Sequence, residues 1–290
     1  MDALHDKYHD QGLRIIGMNV WEDSRDKVSE FVKKAGDRMS YSVAYCGVDG
    51  EFAHTWLKAA DIRGIPFTFI LRDGKYLFST HPSNLDDESI KTLLRGGEAA
   101  EKVVQKHLDA EATKTAVKEQ IRAFQQAKEH GDVEAMAKTY KKAIELNAEH
   151  PEIYRLRTVL AVVTQNWTEA LNAIKDAETP AAACNVVGII VEMTDDSTEE
   201  LPVELLSLMA ETLESFPNQV SPLKAMLARV QWKLGKKDEA IQSAKEAVSL
   251  YGRLSKKALE AFAASFQEGT PQTYPYLLEK STEQLDKEDQ

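Results

Sequence analysis

The side chains best able to do covalent chemistry in this chain are its two thiols, Cys46 and Cys184. Two thiols at C-x-x-C spacing exchange disulfides, and a lone thiolate beside a base and an arginine can attack a peroxide. Neither arrangement is legible. The cysteines fall in segments of different character, so a disulfide between them is not expected, and neither belongs to a C-x-x-C. No Cys/His group has zinc-ligand spacing, so no metal and no cofactor is expected. Cys46 follows YSVAY (41–45), an apolar run whose C-terminal end is where α/β sheets gather ligands. It is the candidate reactive thiol, yet the sequence sets no second cysteine, His or Lys firmly beside it; His54 stands on the next helical stretch. Both thiols are expected to serve as small buried apolar groups.

The elements around Cys46 alternate. Leu4 and Tyr8 have helical spacing, and Gly12 stops that helix. LRIIGMNV (13–20) reads as a buried strand. Ser24 caps a helix over 25–35, with Val28, Phe31 and Val32 on one face. After strand 41–45 come a short helix at 51–59, with Phe52, Trp56 and Leu57 inward, and a strand FTFIL (67–71). Asp73-Gly74 turns that strand into KYLFST (75–80), and Asp86 or Asp87 caps a helix through Leu94, closed by Gly96-Gly97. The order describes an α/β sandwich of parallel strands ended by an antiparallel hairpin.

Beyond Glu98 no strand signal survives, and Ala, Glu, Lys, Leu and Gln dominate. Three stretches superimpose: GDVEAMAKTYKKAIELNAEHP (131–151), NWTEALNAIKDAETP (166–180) and GKKDEAIQSAKEAVSLYG (235–252). Met136, Ala170 and Ala240 share one position, and Ala143, Ala177 and Ala247 share the position two turns later. The spacings are 34 and 70 residues, so a fourth copy is expected near Leu205, in LPVELLSLMAETLESFP. Small residues there let antiparallel helices approach closely. First helices are expected at 114–129, 151–164, 181–193 and 221–234, with a further helix near 254–267 and an acidic tail capping the stack. Trp167 and Trp232 are expected in the core.

Charge narrows the function. The net charge is −11; residues 1–97 carry −2 and the remainder −9. That argues against nucleic acid and anionic membrane, which need clustered Lys and Arg. No apolar run approaches the ~20 residues of a membrane span, and the N-terminus lacks a signal peptide's apolar core.

Two resemblances follow from these residues. DIRGIPFTFILRDGKYLF (61–78) and LHDKYHDQGLRIIGMNVWED (4–23) resemble the second half of a thioredoxin-like domain of the TlpA or alkyl hydroperoxide reductase/thiol-specific antioxidant type. The resemblance implies a cis Ile65–Pro66 bond, with Ile65 and Pro66 as a substrate-docking position; core packing of Ile65 is the alternative. It also implies thiol–disulfide exchange through a C-x-x-C at the start of the first helix, in cell redox homeostasis and often outside the cytoplasm. That C-x-x-C, and the central strand between those matching 13–20 and 67–71, have no counterpart in this chain. Met1 is therefore expected to be an internal methionine, the alternative being a degenerate domain in which 13–20 pairs with 67–71. Residues 1–20 and 66–71 are expected to show a gap, a re-paired sheet or a strand from another chain, since unpaired backbone groups cost on the order of 1–3 kcal/mol each when buried. The second segment resembles the tetratricopeptide repeat, without its W-x-x-L-G-x-x-Y signature; this implies an interaction surface on stacked helix pairs.

The expected organisation is an incomplete thioredoxin-like domain at 1–97 and a tetratricopeptide-like α-helical domain at 98–290. The expected function is non-catalytic protein–protein interaction through the helices. The alternative is a fragment of an active oxidoreductase whose C-x-x-C lies upstream. A protein or peptide is the expected partner, with a spacer or homodimerisation arm as the other use of the repeats. Compartment and enzymatic activity are left open.

Overall fold

The structure, a computed structural model, describes residues 1–48, 50–60, 62, 64–197 and 200–288. It divides into two compact units, Met1–Lys114 and Thr115–Gln290. The expected boundary at 97/98 coincides instead with the start of a long helix that runs on past the division.

In the first unit, α1 (Asp2–Tyr8) ends through a short 3-10 turn at Gly12, whose φ is 101°. β1 (Ile16–Asn19) pairs in parallel with β2 (Ser42–Tyr45), Ile16 opposite Ser42. Between them lies α2 (Arg25–Ala35), capped by Ser24, whose Oγ accepts the Lys27 N–H at 3.4 Å. β3 (Thr68–Arg72) and β4 (Lys75–Thr80) form the expected hairpin. Asp73 and Gly74 both take positive φ, 51° and 70°, as a type I′ turn requires. α3 (Asp87–Arg95) is capped by Asp86, whose Oδ1 accepts the Ser89 N–H at 2.7 Å. The core gathers Tyr8, Phe78, Leu85, Ile90, Leu93 and Ala100.

Two corrections apply here. The strands form two separate two-stranded sheets rather than one continuous sandwich, and β1 does not pair with β3 among the described residues. The interruption falls at the residues where a gap was expected. The face of α2 is also less buried than predicted: Val28 and Val32 are half-buried, but Phe31 is 62% exposed. Two paired strands lie only about 5 Å apart, too narrow a floor for a helix's whole apolar face.

The second unit is helical throughout its described residues. α4 (Gly97–Glu129) contributes its second half, followed by α5 (Val133–Asn147), α6 (Glu152–Val163), α7 (Trp167–Lys175) and α8 (Pro180–Thr194). Then come α9 (Val203–Ser215), α10 (Ser221–Lys233), α11 (Lys237–Ser249), α12 (Lys256–Gln267) and α13 (Tyr274–Glu288). Met136, Ala143, Ala170, Ala240 and Ala247 are fully buried, as helix crossings at small residues require, while Ala177 is half-buried.

One turn recurs. Gly131, Gln165, Gly235 and Gly269 have φ of 67°, 52°, 79° and 79°. The next residue's N–H in each case donates five residues back: Asp132 to Ala127, Asn166 to Ala161, Lys236 to Gln231 and Thr270 to Ser265, at 2.8–3.0 Å. This is the left-handed helix stop that a Schellman bond pair makes. The positions are spaced 34, 70 and 34 residues apart; the intermediate copy, due near Glu199, lies outside the described residues. The fourth turn corrects the expectation of an acidic tail, because it begins a further pair, α12–α13. Tyr274, Leu277 and Ser281 of α13 are buried.

Candidate functional site

The candidate residues of the first unit do not assemble into a reactive centre. The Cys46 N–H donates to the Asn19 carbonyl at 2.9 Å, which extends the β1–β2 ladder by one bond. Its half-buried thiol has no hydrogen bond, and His54 is exposed, among the described residues. The Ile65–Pro66 bond is cis, as the resemblance implied, and Ile65 is 58% exposed, which rules out the core-packing reading of its side chain. Asp61 and Arg63 of the same stretch lie outside the described residues. Beside Pro66, Phe67 packs edge-on against Phe69 at 5.5 Å, and Phe69 against Trp56 at 5.2 Å. Phe52 stacks on Trp56, and only Leu57 of the expected inward trio is buried.

The second unit holds a groove of about 1070 Å³. Its floor is α8. Ala181, Asn185, Gly188 and Glu192 recur at intervals of four, three and four, so one helical stripe faces the opening. The N-terminal ends of α6 and α10 form the walls, through Tyr154 and, one turn further in, Met226. Small residues make the room: a methyl group at Gly188 would already touch the Met226 sulfur at 3.6 Å. Cys184 also borders the groove but is only 5% exposed, with its thiol 3.8 Å from the Thr212 carbonyl. Burial pushes its pKa up, away from thiolate chemistry.

Charge is set around the rim. Glu149 and Glu178 stand on the loops entering α6 and α8, with Asn218 and Arg253 on the two later loops. Glu152 is held by Arg155 at 3.4 Å. At the far end Tyr274 is buried, and burial first, then Glu192, drives its hydroxyl pKa up, so it remains a neutral phenol.

Behind the groove, Asp195 locks three helices. Arg229 Nε donates to Oδ1 and Oδ2 at 2.9 and 2.7 Å, and the Tyr274 N–H donates to Oδ2 at 2.7 Å. Arg229 also donates to the Pro271 carbonyl at 3.2 Å. Trp167 and Trp232 pack against the core as expected, Trp232 edge-on to Phe266.

Sequence reading missed the groove residues because the repeat is legible in the second helix of each pair, where alanines recur. The groove is built from the first helices, whose positions carry no common residue type. Among the described residues no helix is long and apolar enough to cross a membrane, and no group of three acidic, His or Cys side chains is placed to hold a metal.

Comparison with known families finds a tetratricopeptide repeat at residues 222–253, which spans α10 and α11. No curated protein and no solved structure is detectably similar to the chain.

Proposed function

We propose that the chain is a protein-interaction scaffold whose stacked helix pairs hold a partner segment in the groove over α8. The carrying observation is the recurrence of one turn at spacings of 34, 70 and 34 residues, which supports a stack of equivalent first helices with their shared face open. A groove of small and apolar side chains with a polar rim suits an extended or helical peptide. The test is selection of a random-peptide display library on the immobilised full chain. Peptides should be enriched that no longer bind Ala181→Trp, an exposed position where an indole would fill the groove. Enrichment indifferent to that variant would sink the reading.

For residues 1–97 we propose a thioredoxin-like scaffold, supported by the element order and by the stretches 4–23 and 61–78, with 98–290 as the repeat domain. Within this chain it has no dithiol, so an insulin-reduction assay should give no rate above the dithiothreitol blank. A rate abolished by Cys46→Ser would instead favour thiol chemistry at that residue.

A further inference from the structure

The charges around the groove define the class of partner, an inference that rests on the groove being the binding site. Glu149, Glu178 and Glu192 have no Lys or Arg within ion-pair distance among the described residues, whereas Glu152 has Arg155. Other exposed carboxylates of this acidic chain, Glu204 among them, also lack an ion pair among the described residues, so what distinguishes these three is their place: all line one groove, whose lining cations are Arg155 and Arg253. The three unpaired carboxylates are not clustered tightly enough to share a metal ion. They are exposed and spread along the groove, so each is free to meet a separate cation of a bound segment. The loop series also has a direction: Glu149, then Glu178, then neutral Asn218, then Arg253. Between the acidic loops and Glu192 the floor is small and mostly apolar, with Ala181, Gly188 and Met226 around the single amide of Asn185.

We infer that the groove takes a cationic amphipathic protein segment. Its apolar side chains lie over Ala181, Gly188 and Met226, and its Lys or Arg side chains meet Glu149, Glu178 and Glu192. An acidic segment would face uncompensated carboxylates at both ends of the floor, which penalises it by like-charge repulsion. The acidic rim also speeds encounter with a basic segment in a salt-dependent way.

The experiment uses the full chain and the peptides recovered by display, with affinities read by fluorescence anisotropy. Recovered peptides should combine apolar residues with net positive charge. Their affinity should fall on the order of tenfold from low to high salt, and by a similar factor on Glu149→Lys/Glu178→Lys. Both positions are exposed, so the fold is retained; Glu204→Lys, exposed on α9 and outside the groove, should leave affinity unchanged. Neutral or acidic peptides that bind independently of salt, yet are still blocked by Ala181→Trp, would overturn the charge inference and leave the groove standing. Binders indifferent to Ala181→Trp would overturn the groove reading and the inference with it.

Discussion

At the scale of single residues, two side chains outside the groove lining, Asp195 and His107, give sharp expectations. Asp195 is 1% exposed at its side chain and carries two bonds from Arg229 and one from the Tyr274 backbone. Removing one member of such a buried pair strands the other charge, which typically costs about 3–5 kcal/mol. Asp195→Ala should therefore lower the chemical-denaturation midpoint of the second unit sharply. Lys233 Nζ also lies 3.5 Å from Oδ1, so Asp195→Leu/Arg229→Met/Lys233→Met, which removes the carboxylate and both facing cations, should recover a large part of that loss. If the triple variant is as unstable as the single, the loss is one of packing and not of charge. In the first unit, His107 stacks on Phe78 with centroids 4.2 Å apart and planes within 5°. Burial, then Lys106 and Lys114, hold its pKa below the ordinary value near 6.5, against a smaller opposing pull from Asp86. The folded state thus disfavours the imidazolium. Its contribution to stability is present above about pH 6.5 and is lost as pH falls through the folded value. Melting of the first unit should shift to lower temperature between about pH 7.5 and 5. His107→Phe should flatten that dependence, and an unchanged slope in the variant would assign it to other groups.

At the scale of elements, the recurring turn is the unit of construction. Its left-handed residue is Gly at 131, 235 and 269, and a side chain there meets a conformational cost even in open space. Gly235→Ala should destabilise the second unit by about 1 kcal/mol, with nothing within 4 Å of the new methyl to blame. A neutral outcome in urea denaturation would mean the turn relaxes out of the left-handed region. Asn166→Ala, which deletes the cap to the Glu169 N–H, should cost about as much. These devices explain what was legible. Spacings of 34 and 70 residues among Met136, Ala170 and Ala240, all buried, located α5, α7 and α11 because helix crossings favour small or pliable residues, and Asp73-Gly74 located the hairpin because a type I′ turn demands positive φ at both positions. The groove was not legible: Glu149, Asn185 and Glu192 obey no packing rule, since they face open space. α13 was missed for a related reason. Its polar surface reads as a tail, while its attachment rests on Tyr274, Leu277 and a bond to Asp195 drawn from far away in sequence. Sheet closure was equally out of reach, because strand pairing is a non-local event that periodicity cannot report.

At the scale of the whole molecule, the two units differ in how their backbone is secured. The second unit closes α4, α6, α10 and α12 with the repeated turn and buries two cores, a smaller one between Phe124 and Val159 and a large one running from Ala161 to Leu277. The first unit divides its strands between two two-stranded sheets and buries a smaller core against the hairpin and α3. An isolated pair of strands is marginal in water, because one ladder does little to offset the entropy of ordering both. The β1–β2 ladder has only half-buried and exposed side chains, and α2 above it buries none fully. Stability should consequently be unequal, with sub-global opening confined to the first unit. Native-state hydrogen exchange is the direct measurement. Amides of β1 and β2 should exchange at least about a hundredfold faster than those of α8 and α10, an opening cheaper by about 3 kcal/mol. The β3–β4 amides should lie between, since Phe78 is 1% exposed and anchors that hairpin. Equal protection in β1 and α10 would show that the chain opens as one cooperative body, and the separate sheets would then have to be coupled to the rest by contacts stronger than their burial suggests.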